Sequence, residues 1–505
     1  MLKINKHNLL YVNILMIGLA GWYNLHIAAA QSLESSEGAS PLPYPIVDTE
    51  QSKCYDNNAE VSCPKTGTAF SGQDAQYSGN LPRYQDNGNG TITDLVTNLM
   101  WQQEPGVKMT FQQASAGASS LHLAGYSDWR LPTIKELYSL ILFDGTDVSA
   151  CPGGNCSATP FIDTRYFHFK YGDTNANERV IDSQFATSTK YVSTTMIGNE
   201  TMFGVNFADG RIKGYGLMDP RSAGQKKFYV LYVRGNPNYG KNTFSENSNG
   251  TISDTATSLT WMKADSGKGM DWSEAITYCE ALSTAGADDW RLPNAKELQS
   301  IVDYSRSPST TNSAAIDPLF SVTKITNEGG MSDYPFYWSS TTHADLSGNG
   351  AFGAYVAFGR AMGKMIVIWM DVHGAGAQRS DPKSGNAASY ANGHGPQGDA
   401  VRINNYVRCV RGGDVKAVRE GIRKVIRPAV PIQSAGMQPG STTGGASQGG
   451  QPGMAGGQPP QEAILACRSL KFNAVCQMNT PQGTLSGTCQ QIQTQLACVP
   501  ARPPN

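Results

Sequence analysis

The feature that most constrains this chain is an internal duplication. Residues 84–101 read YQDNGNGTITDLVTNLMW and residues 244–261 read FSENSNGTISDTATSLTW, with nine of eighteen positions identical at a constant offset of 160. DWRLPTIKELYSLILF (128–143) matches DWRLPNAKELQSIVDY (289–304), with nine identities in sixteen positions. YVST (191–194) then echoes YWSS (337–340), and YVLYVRG (229–235) echoes YVRCVRG (406–412). Four matches in one order mean a duplicated domain rather than shared composition. The first copy spans 84–235, the second 244–413, and 236–243 links them.

Each copy carries the same local signals. Asn89-Gly90 and Asn249-Gly250 sit between residues of alternating polarity, a hairpin signal because Asn-Gly accepts positive φ. Asp86-Asn87-Gly88-Asn89-Gly90 resembles a calcium loop, but its carboxylates lack the required spacing, so the hairpin reading is preferred. Thr110-x-x-Gln113 and Asp271-x-x-Glu274 are capping boxes that start a first helix. Trp272, Ala275, Ile276, Cys279 and Leu282 form one apolar face of that helix in the second copy. Thr133-x-x-Glu136 and Asn294-x-x-Glu297 start a second helix, just after Pro132 and Pro293. Trp129 and Trp290 read as core, with Arg130 and Arg291 in a structural hydrogen-bond network. The rest of each copy is short β-type runs, so the expected class is α+β: a hairpin, two helices, then antiparallel strands.

The first thirty residues read as a signal peptide. Lys3 and Lys6 precede an apolar run from Leu9 to Ala20, and Ala28-Ala29-Ala30 offers a cleavage site before Gln31. That run is shorter than the ~20 residues a membrane span needs, and no later segment is apolar enough to span after cleavage. The expected location is therefore outside the cytoplasm: periplasm, cell surface or medium. All ten cysteines lie beyond residue 30, an even number that suits disulfides in an exported chain. Cys54 and Cys63 fall together in an N-terminal arm (31–83), and Cys151 and Cys156 flank a turn. Cys467, Cys476, Cys489 and Cys498 cluster in a tail (466–500), with their connectivity open. Cys279 and Cys409 are left for each other. Their counterparts in the first copy are Ala118 and Tyr232, so both cysteines are missing there together. No Cys-x-x-Cys pair supports a metal site.

The ordered set NGTITD…LMW, GYSDWRLPTIKEL, YWSST and NYVRCVRGG resembles the C-terminal domain of the Legionella collagen-like adhesin family, found in exported bacterial proteins. The resemblance covers about 85–235 and 244–413, and 44–79 also looks like the lead-in of family members. It implies two tandem C-type-lectin-like domains and, for the adhesin, binding to sulfated glycans. No collagen-like Gly-X-Y array is present, so the adhesin's stalk and trimer are not implied. The calcium-dependent lectin triplets Glu-Pro-Asn, Gln-Pro-Asp and Trp-Asn-Asp are absent too.

The second copy is longer than the first between the Tyr-x-Ser-Thr/Ser match and its end, with most of the insertion placed at 371–403. That stretch holds Asp371, His373, Arg379, Asp381, Lys383, His394, Asp399 and Arg402 amid Gly and Ser. A solvated loop, a recognition loop for a polar ligand and a metal site are its three readings. The ligand-binding candidates are His373, Arg379, Lys383, His394 and Arg402, with Trp338 as a sugar-stacking platform or a core residue. No catalytic, cofactor-binding or metal-ligating set is assigned, because no hydrolase elbow, phosphate loop or zinc-protease motif occurs. A reactive cysteine pair of the formylglycine-generating kind is not expected either.

Residues 414–427 place Val415, Val418, Ile422 and Val425 on one face of an expected basic helix, and a Gly/Pro/Gln-rich linker runs to 465. Charged residues are only 16% of the chain, against about 25% in ordinary domains, and the net charge is −1. That balance excludes nucleic acid as a partner but leaves local recognition of anionic sugars open. The expected function is a non-enzymatic binding protein for a polysaccharide or cell-surface glycan, in recognition or adhesion. The alternative is a structural or assembly component that meets a protein partner in a surface complex. The third reading is a metal-dependent enzyme built on the 371–403 loop.

Overall fold

The repeated local signals produce the same local structure in both copies. The computed structural model describes residues 42–151, 156–219, 224–365, 367–418, 427, 429–432, 466–467, 471, 474–480, 483–492 and 495–500. In the first copy, strands Tyr84–Asp86, Thr91–Asp94 and Leu99–Gln102 form an antiparallel meander, and Val233–Gly235 adds to its edge. In the second, Phe244–Glu246, Thr251–Asp254, Leu259–Met262 and Val410–Gly412 repeat it. The positive φ falls on Gly90 and Gly250, not on the asparagines. Asn89 and Asn249 instead accept hydrogen bonds from Thr91 and Thr251, each 2.7 Å long.

Four helices follow from the four capping boxes, each of which closes: α1 (Phe111–Ser120), α2 (Ile134–Tyr138), α3 (Trp272–Glu280) and α4 (Ala295–Ser300). The Asp-Trp-Arg-Leu-Pro motif explains itself in these boxes. Arg291 forms a two-pronged ion pair, 2.6 Å in each arm, with Glu297, the same carboxylate that accepts the Asn294 N–H. Its Nη2 also donates to the Gly412 carbonyl at 3.3 Å, tying the helix start to the last strand. Arg130 repeats the link through Glu136 and, at 3.0 Å, the Gly235 carbonyl. Asp128 and Asp289 bind Arg234 and Arg411 in the same way.

The first helix is stapled to the last strands by different chemistry in each copy. Cys279 and Cys409 form a disulfide between α3 and the segment entering strand Val410–Gly412. In the first copy the Tyr232 hydroxyl donates to the Ala114 carbonyl of α1 at 2.8 Å, against Ala118. Gly117 makes this possible, since a Cβ there would lie 2.3 Å from the Tyr232 oxygen. The Cys54–Cys63, Cys151–Cys156 and Cys467–Cys489 disulfides also form, and Cys476 is disulfide-bonded. The side chain of Cys498 lies outside the described residues.

Beyond these parts the copies share one sheet. Its order runs Lys190–Thr195, Asn199–Asn206, Arg211–Gly216 from the first copy, then Gln378–Pro382, Phe352–Ala357, Phe336–His343 from the second. The central seam is antiparallel, with Ile212 opposite Gln378, so the two halves are related as by a twofold axis. The helices beneath obey the same symmetry. Lys135 of α2 donates to the Ser300 carbonyl ending α4 (2.7 Å), and Lys296 of α4 donates to the Ser139 carbonyl ending α2 (2.9 Å). Each ammonium thus satisfies carbonyls that the other copy's helix end leaves open. The N-terminal arm lies in the same seam. The Asp48 carbonyl accepts from Lys296 at 3.0 Å, and the Gln51 amide bridges the Phe143 carbonyl and Thr342.

Two expectations are corrected. The α+β, C-type-lectin-like class is overturned: the described residues are mostly short strands in many small sheets, and the four α-helices among them are only five to ten residues long. The capping boxes are real, but a cap fixes only where a helix starts, and the four helices stop within ten residues, at Leu121, Ser139, Ala281 and Ile301. The expected basic helix also fails at its start, where Lys416–Ala417 is a strand paired with Tyr77–Ser78. Residues 419–426 of that stretch lie outside the described residues, as do the signal-like segment 1–30 and the linker 434–462. No helix among the described residues is long and apolar enough to cross a membrane. The chain divides into two compact units after Gly436. The second contains a three-stranded antiparallel sheet, Val475–Thr480, Gly483–Ile492 and Gln495–Pro500.

Removing the 130-residue disulfide loop with Cys279→Ala and Cys409→Ala is expected to cost about 5 kcal/mol in urea unfolding. Tyr232→Phe, which deletes one hydrogen bond, is expected to cost about 1 kcal/mol. Burial drives the Lys296 pKa down to about 7, and Asp48 and other acids only partly offset it. Between pH 7 and its ordinary value of 10.5 the unfolded chain holds a proton that the folded protein releases. Stability therefore rises with pH through that window. Lys296→Met should remove the Lys296 share of this rise, read as the difference between the two urea-midpoint profiles; Lys135 and Lys213, which burial lowers to about 8, keep theirs.

Candidate functional site

The sequence-derived candidates part into three places. Trp338 is fully buried, its indole N–H donating to the Met270 carbonyl at 3.0 Å, so it is a core residue. Lys383 is buried too, with Nζ 3.8 Å over the Trp272 ring and bonded to Thr342 Oγ1 at 2.8 Å and the Asp56 carbonyl at 3.1 Å. It clamps the N-terminal arm to the second copy.

His373, Arg379 and His394 meet at Asp399. His373 Nε2 lies 2.9 Å from one Asp399 oxygen, Arg379 pairs with the other, and the His394 and Asp399 backbones bond each other both ways at 2.8 Å. This group abuts a matching one from the first copy. Arg211 pairs with Asp147 at 2.6 Å and donates to Ser380 across the seam at 3.1 Å, while Lys213 pairs with Asp209. His343, stacked on Phe161 with ring centroids 5.6 Å apart, donates from Nε2 to the Asp209 carbonyl at 2.8 Å. Burial pushes both His343 and His373 down to about 4, assisted by the Arg211 and Arg379 charges respectively. Burial would raise the Asp399 pKa, but the Arg379 and His373 contacts outweigh it and hold that carboxyl well below its usual range. Three cations and three carboxylates balance, and their side chains are mostly closed to solvent, whereas His394 is exposed. The cluster joins the copies.

Arg402 lies elsewhere, at an open cleft of about 420 Å³, within the size range of small-ligand sites. Most of its wall comes from the insertion, which the structure splits in two, and Ile325, Thr326 and Glu328 complete it. The tight turn 207–210 of the first copy is replaced by 358–377, and a second loop follows strand Gln378–Pro382. The first piece contains the hairpin Met362–Met365 and Ile368–Asp371, which pairs Trp369 with Lys364 and holds the indole on the cleft. The second supplies Tyr390 from the turn Ala387–Tyr390, then Arg402, Asn404 and Tyr406. Buried Asp381 shapes this loop by accepting the Arg402 and Ile403 N–H groups and the Asn405 amide, at 3.0–3.3 Å. Burial raises its pKa to about 6.

Three aromatic side chains, each half-buried, line the cleft. Among the described residues neither the Tyr390 nor the Tyr406 hydroxyl is taken up by a protein partner, so both are open to a ligand. Arg402 stacks 3.6 Å above Phe336 and forms a two-pronged pair with Glu328, at 2.8 and 3.1 Å. Burial favours a raised Glu328 pKa, but the Arg402 hydrogen bonds and charge outweigh it and the net shift is downward. Trp369, Tyr390, Tyr406 and Glu328 were not singled out from the sequence. Trp369 stands just outside the 371–403 boundary, and Glu328 is about seventy residues from its partner. Only the aromatic spacing within a Gly-rich insertion could have signalled the site.

Among the described residues the sole three-ligand cluster of metal-binding types is Cys467, Cys476 and Cys489, all disulfide-bonded. A family model described as the Lcl C-terminal domain matches residues 90–234 and 250–373, one match per copy and together just over half of the chain. No curated protein and no solved structure matches the chain.

The seam histidines predict acid sensitivity. Between pH 6.5 and about 4 the unfolded chain binds protons that folded His343 and His373 refuse, so stability falls as pH falls through that window. Each is expected to contribute on the order of 3 kcal/mol to the loss. His373→Gln should flatten the fall of the urea midpoint above pH 4; an unchanged slope would refute the assignment.

Proposed function

The chain belongs to the Lcl C-terminal domain family, in two tandem copies, and on that premise we propose an exported, non-enzymatic recognition protein that holds a glycan in the cleft of its second copy. One observation carries this reading: the cleft joins Trp369, Tyr390 and Tyr406 to the polar groups of Glu328, Arg402 and Asn404. Aromatic faces pack against the C–H faces of pyranose rings, while the polar groups and free phenols meet ring hydroxyls. Export is supported by the signal-like pattern of residues 1–30 and by the disulfides, which persist in oxidising compartments.

A structural or assembly role with a protein partner has one observation in its favour. Two hairpin tips expose apolar residues: Ile197 (87% exposed) in the first copy, Val367 (73%) and Ile368 (59%) in the second. Ile197→Ser with Val367→Ser should release a stoichiometric protein partner if that role is real, and leave glycan binding unchanged.

A glycan array probed with the chain from residue 31 onward tests the main reading. Binding is expected, and Trp369→Ala should weaken it by about tenfold without lowering the melting temperature. No binding to any neutral or sulfated glycan rejects the proposal.

A further inference from the structure

We infer that two apolar hairpin tips, one from each copy, form a docking surface for an anionic phospholipid bilayer. The inference goes beyond the glycan reading and does not depend on it. The first tip joins strands Lys190–Thr195 and Asn199–Asn206 through Met196, Ile197 and Gly198. All three have positive φ, at 44°, 63° and 91°. Asn and Gly take such positions readily, whereas a β-branched side chain there is strained. The fold holds that strain with Ile197 87% exposed, so neither backbone ease nor core packing accounts for the residue. The second tip exposes Val367 and Ile368 where strands Met362–Met365 and Ile368–Asp371 turn.

The two hairpins are neighbours. The Met196 N–H donates to the Asp371 carbonyl at 2.9 Å, and the Gln397 amide lies 3.8 Å from the Met196 sulfur. Gln397 precedes Gly398, whose carbonyl accepts from the Lys364 N–H at 2.8 Å. The size and flanks of the tips select the occupant. A stable protein interface uses about 20–30 residues on each side, whereas these convex tips present three apolar side chains. The boundary of a bilayer is soft, takes apolar groups to a depth of about 5–10 Å and needs no complementary shape. The second hairpin also carries the groups that such a boundary favours. Trp369 is half-buried beside Ile368. The Lys364 ammonium rests on neutral partners: the Ala391 carbonyl at 3.3 Å, Asn392 Oδ1 at 2.9 Å and the Trp369 ring. Neighbouring carboxylates are committed, Glu200 to Lys190, and Asp371 to the Tyr191 hydroxyl and the Gly374 N–H.

The test is co-sedimentation of residues 31–505 with vesicles of phosphatidylcholine alone and of an equimolar mixture with phosphatidylglycerol. The mixed vesicles are expected to bind the chain. Ile197→Asn and Val367→Ser should each weaken that binding by about tenfold. Ile197→Asn should also raise the melting temperature, since Asn accepts the left-handed turn, so its loss of binding is not a loss of folding. Lys364→Gln should reduce the preference for mixed vesicles by about fivefold; an unchanged preference overturns the anionic class. Equal binding by the unsubstituted chain and the Ile197→Asn, Val367→Ser double variant overturns the tips as the contact. Absence of binding to both kinds of vesicle overturns the lipid surface, and a stoichiometric protein partner lost from the double variant then assigns the tips to assembly.

Discussion

The structure depends on an exchange of buried lysines. An ammonium taken out of water is costly unless its donors are satisfied. Lys135 and Lys296 find their acceptors at the end of the other copy's second helix. Asn242 of the linker also accepts from Lys135, at 2.8 Å. The N-terminal arm completes the arrangement, with the Asp48 carbonyl on Lys296 and the Gln51 amide spanning both copies. The repeats are thus halves of one body, although the chain writes them as successive domains.

That body sets where recognition can occur. The twofold-like seam brings strand Arg211–Gly216 against Gln378–Pro382, and its charged residues are consumed in joining the halves. Ligand contact falls to what the symmetry does not use, and the two copies differ most in the insertions of the second. Those insertions raise Trp369 on a hairpin and bend Arg402 to Tyr406 around Asp381, making an aromatic-walled cleft with no counterpart hairpin in the first copy.

Much of the local structure was legible in the residues. The Thr110, Thr133, Asp271 and Asn294 caps, the two Asn-Gly hairpins and the Cys279–Cys409 bridge all form. Each depends on groups a few residues apart or, for the bridge, on comparing two copies of one pattern. The class was misjudged because well-formed caps say where a helix starts and not how soon it ends. Of the candidate site residues, Arg402 stands at the open cleft, whereas His373, Arg379 and Lys383 are buried and paired; the cleft's aromatic walls, Trp369, Tyr390 and Tyr406, come together only through the tertiary structure.

By itself the sequence determined the repeat, its hairpins and caps, a structural role for Arg130 and Arg291 and the family to which the chain belongs. Only the tertiary structure decided that the copies share a sheet, that Tyr232 replaces a disulfide, and that Glu328 reaches Arg402. The reason is the range of the forces. Capping and turn preferences act over about four residues and repeat wherever their letters repeat. The partner of a buried charge is settled by which distant segments the whole core brings together, and that depends on the balance of burial over the entire body.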